Sequence, residues 1–193
     1  LLVHGKPTDL DAKATYGVMK LTTKQVDNAG GLVDVVFELP QWVKAEAHDG
    51  TPMAEAFSEA TTIVAEWIKN YPSNFPPIVI NITDGAPDSK PDAKLKAQEL
   101  QQLKTGDGNV LILNAHIAAG GGNEVRLPSA SPTQSGDDAE FLYDISSELP
   151  EPLLAAATNA GFTPSQHARG CVFNAGAETL TKLIIFGSTP MKQ

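Results

Sequence analysis

The sequence contains a single cysteine, Cys171, among its 193 residues. No disulfide can therefore form within the chain, and a zinc site built from several cysteines is excluded. Cys171 stands in the apolar run Cys171-Val172-Phe173. This setting favours a buried structural thiol over a reactive nucleophile.

Basic residues and long hydrophobic runs are also scarce. The chain has 14 Lys and Arg against 23 Asp and Glu, which gives a formal net charge of −9 at pH 7. This charge would repel phosphate backbones, so we expect no nucleic-acid partner. No stretch approaches the ~18 apolar residues that a membrane helix needs, so we expect no membrane insertion. With the single cysteine, which fits a reducing compartment, these features favour a cytoplasmic location.

Common catalytic motifs are missing as well. The sequence has no Gly-x-Ser-x-Gly, no P-loop, no Gly-x-Gly-x-x-Gly and no His-Glu-x-x-His pattern, so we expect a protein that is not an enzyme. Asp84, Asp88 and Asp92 are spaced like part of a calcium loop, but Ser89 stands where an EF-hand needs Gly. Asp88 is better explained as a residue near the N-cap of the following helix.

Two or three strands are expected in residues 1–40. In the rest of the chain, segments with a helical apolar period alternate with short apolar segments typical of buried strands. The pattern predicts an α/β fold with a doubly wound, mostly parallel sheet. Thr51 is predicted to be the N-cap of the first helix and Pro52 its first residue. The predicted helices cover residues 52–69, 91–104, 137–147, 151–160 and 176–186, and the predicted buried strands cover residues 78–83 and 110–115.

Two oxygen-bearing side chains are expected at one end of this sheet. Asp84 directly follows the strand at residues 78–83, and Thr51 begins the preceding helix. Ligands bind beyond the carboxyl ends of strands in open parallel sheets, and carboxylate and hydroxyl oxygens suit Mg²⁺ or Mn²⁺. Other interpretations stay open: Thr51 as a helix cap only, Asp84 as a turn residue only, and His116 as a side chain bonded to a neighbouring loop.

At these residues the chain resembles a known family. The segments Asp49-Gly50-Thr51-Pro52-Met53 and Ile80-Asn81-Ile82-Thr83-Asp84-Gly85 resemble the later parts of the metal-ion-dependent adhesion site of von Willebrand factor A domains. The resemblance implies a Rossmann-like sheet with helices on both faces, and Thr51 and Asp84 as ligands of Mg²⁺ or Mn²⁺. It also implies a protein partner that presents an Asp or Glu to the metal. Residues 75–77, 105–109, 146–150 and 168–175 further resemble a bacterial subgroup.

The family's first metal motif, Asp-x-Ser-x-Ser, is absent. Ser129-Ala130-Ser131 has the serine spacing, but Leu127 stands at the aspartate position; after Asp144-Ile145-Ser146, Glu148 replaces the last serine. We therefore expect residues 1–193 to be a partial domain, with the central first strand and the first helix upstream of residue 1.

The helix between them predicts that the strands at 78–83 and 110–115 pair in parallel. If the first strand is missing, the strand at 78–83 should meet no strand from residues 1–40. The chain by itself should bind Mg²⁺ weakly or not at all. Two other functions stay open: a metal-free scaffold, and a metal-dependent hydrolase that uses Asp84.

Overall fold

The chain divides into two compact units, Leu1–Asp49 and Gly50–Gln193. The computed structural model describes residues 17–26, 30–41, 50–117 and 122–188. The segment Asn28-Ala29-Gly30-Gly31 predicts a turn between strands; its first two residues, like Asp49, lie outside the described residues. The two units are described separately below.

The described part of the first unit is an antiparallel hairpin. Strand β1 (Gly17–Val26) pairs with strand β2 (Leu32–Gln41) along its whole length. Gly30 lies between the strands with a φ of +83°, a backbone conformation that glycine adopts at little cost. The strands that the sequence predicts in residues 1–40 are confirmed here as a hairpin.

The second unit contains the alternating helices and strands. All five predicted helices are present, with ends that shift by at most two residues, and both predicted strands are confirmed. The second helix ends early because the chain turns into a small hairpin formed by β4 and β5. The strands are β3 (Ile78–Thr83), β4 (Lys104–Thr105), β5 (Gly108–Asn109), β6 (Leu111–Ile117), β7 (Val125–Arg126) and β8 (Cys171–Ala175). The helices are α1 (Met53–Asn70), α2 (Lys90–Gln102), α3 (Asp137–Ile145), α4 (Glu151–Asn159) and α5 (Ala177–Gly187).

Four of these strands form a mixed, mostly parallel sheet with the order β3-β6-β8-β7. β3 and β6 pair in parallel from Ile78 and Leu111 to Thr83 and His116, which confirms the predicted pairing of these two strands. β8 is also parallel to β6, whereas β7 is antiparallel to β8. Among the described residues, β3 forms one edge of the sheet, and β1 and β2 pair only with each other.

Helices cover both faces of this sheet, as alternate residues of β6 show. Ile112 faces an apolar cluster that contains Phe57 of α1, Leu100 of α2 and Phe141 of α3. Leu111 and Leu113 face a second cluster, formed with side chains of α4 and α5. A strand that is buried on both faces is apolar at nearly every position, which explains the continuous apolar run of β6. The second unit is therefore a three-layer α/β structure.

Gly170 brings the start of β8 against β6. A Cβ atom at this position would overlap the Leu113 Cδ2 methyl group and would lie 3.3 Å from Leu149 Cδ2. The Asn114 backbone N–H donates a hydrogen bond of 2.7 Å to the Gly170 carbonyl. Only glycine has room for this approach between the two strands.

Candidate functional site

The chain turns sharply at the carboxyl end of β3. The Thr83 hydroxyl donates to the Gly85 carbonyl over 2.8 Å and accepts from the Gly85 N–H over 3.2 Å. Thr83 is 8% exposed, whereas the Asp84 side chain that follows is exposed. The turn thus buries the threonine and leaves the Asp84 carboxylate accessible at the end of the strand.

Hydrogen bonds join this turn to the loop that precedes α1. The Asp88 backbone N–H donates to the Thr51 carbonyl over 3.1 Å. In return, the Asp88 carboxylate accepts a hydrogen bond of 2.6 Å from the Thr51 backbone N–H. The Thr51 Oγ1 atom lies 3.4 Å from the position that a Cβ atom of Gly85 would occupy. The Thr51 hydroxyl therefore lies beside the residue that follows Asp84, at the carboxyl end of β3.

The prediction that Thr51 is the N-cap of α1 is wrong. The helix begins at Met53, its N-cap is Pro52, and no side chain caps it. The Thr51 carbonyl instead accepts hydrogen bonds from the N–H groups of Met53 and Asp88. Because the hydroxyl does not cap the helix, it can serve as a ligand without weakening a cap.

Asp88 has a role that the sequence did not predict. The N-cap of α2 is Ser89, whose hydroxyl accepts from the Asp92 N–H over 3.3 Å, so Asp88 lies next to the cap, as predicted. The Asp88 carboxylate lies against Gly50, where a Cβ atom would come within 3.0 Å of Oδ2. Gly50 also has a φ of +95°, so space and backbone both favour glycine. The Asp49-Gly50 pair is a common turn signal, but nothing in the sequence indicates the contact of Gly50 with Asp88.

His116 lies at the end of the neighbouring strand, directly opposite Thr83. Its ring stacks on Phe173, with centroids 4.2 Å apart and an interplanar angle of 15°. The buried Nδ1 atom has no hydrogen-bond partner among the described residues. The expected hydrogen bond to a neighbouring loop is therefore not made through Nδ1, and the ring is held by stacking.

A series of polar side chains, each in contact with the next, crosses the sheet from β3 to β8. The Asn81 amide donates to Asn114 Oδ1 over 2.9 Å, and the Asn114 amide donates to Ser146 Oγ over 2.9 Å. Asn114 is fully buried, so these bonds satisfy a side chain that water cannot reach. This series of polar side chains ends at Cys171. Burial raises the pKa of the Cys171 thiol to about 12, although a hydrogen bond with Ser146 opposes the rise. The prediction of a buried structural thiol is confirmed.

The side chains at this end of the sheet offer oxygen atoms to a cation. Thr51 supplies a hydroxyl and Asp84 a carboxylate, the ligand types that Mg²⁺ and Mn²⁺ accept. The Asp88 carboxylate already accepts the Thr51 N–H, so it is better placed to position Thr51 than to bind a cation. Within residues 17–26, 30–41, 50–117 and 122–188, no group of three or more His, Cys, Asp or Glu side chains is placed to hold a metal. Thr51 and Asp84 are thus the two predicted ligand residues that stand at this end of β3.

Comparison of the chain with protein-family models, with curated proteins and with solved structures finds no match. No helix in the part of the chain that the structure describes is long and apolar enough to cross a membrane.

Proposed function

We propose that this chain is a protein-binding module that uses a divalent cation, Mg²⁺ or Mn²⁺, to engage an Asp or Glu of its partner. One observation carries the proposal: the Thr51 hydroxyl lies beside the turn at Asp84 and Gly85, at the carboxyl end of β3. Ligands of open parallel sheets bind at this end. The hydrogen bonds between Thr51 and Asp88 hold the two loops together, so this arrangement does not depend on the cation.

Thr51 and Asp84 would supply two oxygen ligands to the cation. Mg²⁺ takes six ligands in near-octahedral geometry and usually keeps several waters. The remaining positions would be filled by water and by the partner's carboxylate. A site with so few ligands from the described residues should bind Mg²⁺ weakly, which agrees with the affinity expected from the sequence.

We also propose that the second unit is a Rossmann-like sheet of the von Willebrand A type. The mostly parallel order of β3, β6 and β8, and the helices on both faces, support this assignment. The position of the Thr51 and Asp84 segments at one end of β3 is a second support.

Titration with Mn²⁺, monitored by the NMR signals of the backbone amides, tests the site. We expect Mn²⁺ to broaden the amide signals of Thr51 and Gly85 first, and Mg²⁺ to compete with it. Asp84→Asn and Thr51→Ala should weaken Mn²⁺ binding by about tenfold each, because the first removes the negative charge of one ligand and the second removes the hydroxyl ligand. Thr51→Ser keeps the hydroxyl and should bind as the wild type does. Asp137→Asn, at the exposed start of α3, removes one carboxylate elsewhere and is the matched control.

The partner's carboxylate is tested in the same samples. Acetate should perturb the amide signals of Thr51 and Gly85 only when Mg²⁺ is present, because two carboxylates repel each other without the cation. Broadening that is centred elsewhere, or that survives in both Asp84→Asn and Thr51→Ala, would exclude the cation site.

A metal-free scaffold is the second candidate function. It is favoured by the lack of a cluster of three or more metal-binding side chains among the described residues, and by the involvement of Asp88 with the Thr51 backbone. In that case the Thr51 and Asp84 loops would be only structural. The titration distinguishes the two functions, since a scaffold would show no saturable Mn²⁺ effect at these amides.

A further inference from the structure

A cavity of about 300 Å³ lies at the opposite end of the sheet from Thr51 and Asp84. Leu111, the first residue of β6, lies in its wall, and Leu111 pairs with Ile78 at the start of β3. The cavity is therefore at the amino end of the parallel strands. Its volume is at the lower end of the range of about 300–1,000 Å³ that is usual for small-molecule sites.

The wall of this cavity is apolar and is built from rigid segments. Phe75, Leu111 and Leu149 line it and belong to the same apolar cluster between the sheet and helices α4 and α5. Pro76 and Pro150 complete the apolar part, and proline fixes the backbone at both places. The wall thus requires little rearrangement to receive an apolar group.

Two acidic residues, Asp107 and Glu148, also line the cavity, and both are exposed. Among the residues that line the cavity there is no Lys or Arg to neutralise them. His167 Nδ1 lies 2.6 Å from Glu148 Oε1 and forms an ion pair with it when the imidazole is protonated; the Glu148 Oε2 atom remains for a second partner. A cavity with an apolar wall and acidic lining residues repels anions and attracts a cation.

The loop that carries Asp107 is held in place by hydrogen bonds of its own. Asp107 lies in the turn between β4 and β5, and its N–H donates to the Thr105 hydroxyl over 3.2 Å. The adjacent Gly106 N–H donates to the Pro72 carbonyl over 2.7 Å. These bonds fix the turn in the absence of a ligand, which lowers the entropy cost of binding.

We propose that this cavity binds a small organic cation, namely an ammonium group that carries an apolar body. The apolar body would occupy the wall at Phe75, Leu111 and Leu149, and the ammonium group would lie between Asp107 and Glu148. The proposal uses none of the residues assigned to the cation site at Thr51 and Asp84. It therefore stands or fails independently of the function proposed above.

Phenethylammonium is a suitable probe, because it combines an aromatic ring with one positive charge. We expect saturable shifts of the backbone amide signals of Gly108, Asn109, Leu111 and Leu149 in ¹H–¹⁵N NMR spectra of the full chain. Phenylacetate has the same ring and the opposite charge, and 2-phenylethanol has the same ring and no charge. Phenylacetate should produce no such shifts, and 2-phenylethanol should bind more weakly than the ammonium compound.

Two variants remove the charges while keeping the shape of the side chains. Asp107→Asn and Glu148→Gln should each weaken phenethylammonium binding by about fivefold, as expected for partly exposed ion pairs. Asp137→Asn should leave the affinity unchanged, and Thr51→Ala should also leave it unchanged while it affects the Mn²⁺ titration. Equal binding of phenylacetate, shifts centred outside the cavity, or wild-type affinity in both charge variants would overturn the proposal.

Discussion

The carboxylate of Asp88 accepts a hydrogen bond of 2.6 Å from the backbone N–H of Thr51, 37 residues earlier in the chain. The backbone of Asp88 donates to the carbonyl of the same residue. The loop that contains Asp88 is therefore bonded to both the backbone N–H and the backbone carbonyl of Thr51. The position of the Thr51 hydroxyl follows from this connection and not from the cap of a helix.

Removal of the Asp88 carboxylate should loosen this connection. We expect Asp88→Ala to lower the free energy of unfolding by about 1 kcal/mol, because the Thr51 N–H loses a charged acceptor in an exposed setting. Asp88→Asn keeps an acceptor oxygen and should cost less. Urea unfolding measures the stability, and hydrogen exchange of the Thr51 amide measures the local effect. Unchanged exchange at Thr51 in Asp88→Ala would show that the bond does not hold the loop in solution.

Gly170 should be the least tolerant of the described glycines. Gly170→Ala places a methyl group on Leu113 and Leu149, and such overpacking typically costs about 1–3 kcal/mol. Gly176→Ala is the control, since nothing lies within 4 Å of a Cβ atom there; it should cost less than about 1 kcal/mol. Thermal unfolding of both variants makes the comparison, and equal losses would contradict the close approach of β8 to β6.

Glu124 should make stability depend on pH. Burial alone would raise its pKa, but hydrogen bonds from Thr179, Arg126 and the Gly176 N–H outweigh this effect and hold the pKa below the usual 4.5. A carboxyl group with a lowered pKa stabilises the fold above its unfolded pKa, and this contribution is lost as pH falls through the folded pKa.

Glu124→Gln should therefore be less stable than the wild type at pH 7, by about 1 kcal/mol. The difference should narrow once the pH falls below the usual value of 4.5 for a free glutamate. Urea unfolding from pH 7 to pH 3 checks both statements. A difference that stays constant across this range would mean that the charge of Glu124 has no part in its effect.

Cys171 should be inert while the protein is folded. With a pKa of about 12, a very small fraction of the thiol is ionised near pH 8, and the thiolate is the reactive form. We expect iodoacetamide to label the native chain far more slowly than the chain in guanidinium. Labelling at the same rate in both conditions would show that the thiol is accessible in the folded protein.

The repeating apolar pattern predicted most of the second unit. The helical period over residues 91–104 predicts four inward residues: Ala93, Ala97, Leu100 and Leu103. The first three are fully buried, whereas Leu103 follows the end of α2 and is only partly buried.

The apolar period over residues 52–69 predicts that Phe57, Ile63 and Val64 share one buried face. Phe57 and Val64 are buried, but Ile63 is 37% exposed, so this prediction is partly wrong. The sequence also did not indicate β4, β5 and β7, since two residues are too few to show the period of a strand.

The candidate site was predicted less completely than the fold. Thr51 and Asp84 could be selected because each stands at the end of a periodic element. Asp88 was assigned to the nearest helix, because a sequence shows which polar groups are close along the chain. Its hydrogen bond to Thr51 depends on how α1 and α2 pack against each other. Short-range sequence patterns do not predict that packing.

The Asn81–Asn114 hydrogen bond affects which register β3 and β6 can adopt. In strands that are apolar on both faces, sliding one strand past another exchanges Ile for Val or Leu and changes the buried area little. Here the two amides face each other directly across β3 and β6. A slip of one residue would leave the amide of the fully buried Asn114 opposite a hydrocarbon side chain, at a cost of about 1–3 kcal/mol. The Asn81–Asn114 pair thus favours one register of β3 and β6 among several that would bury similar apolar area.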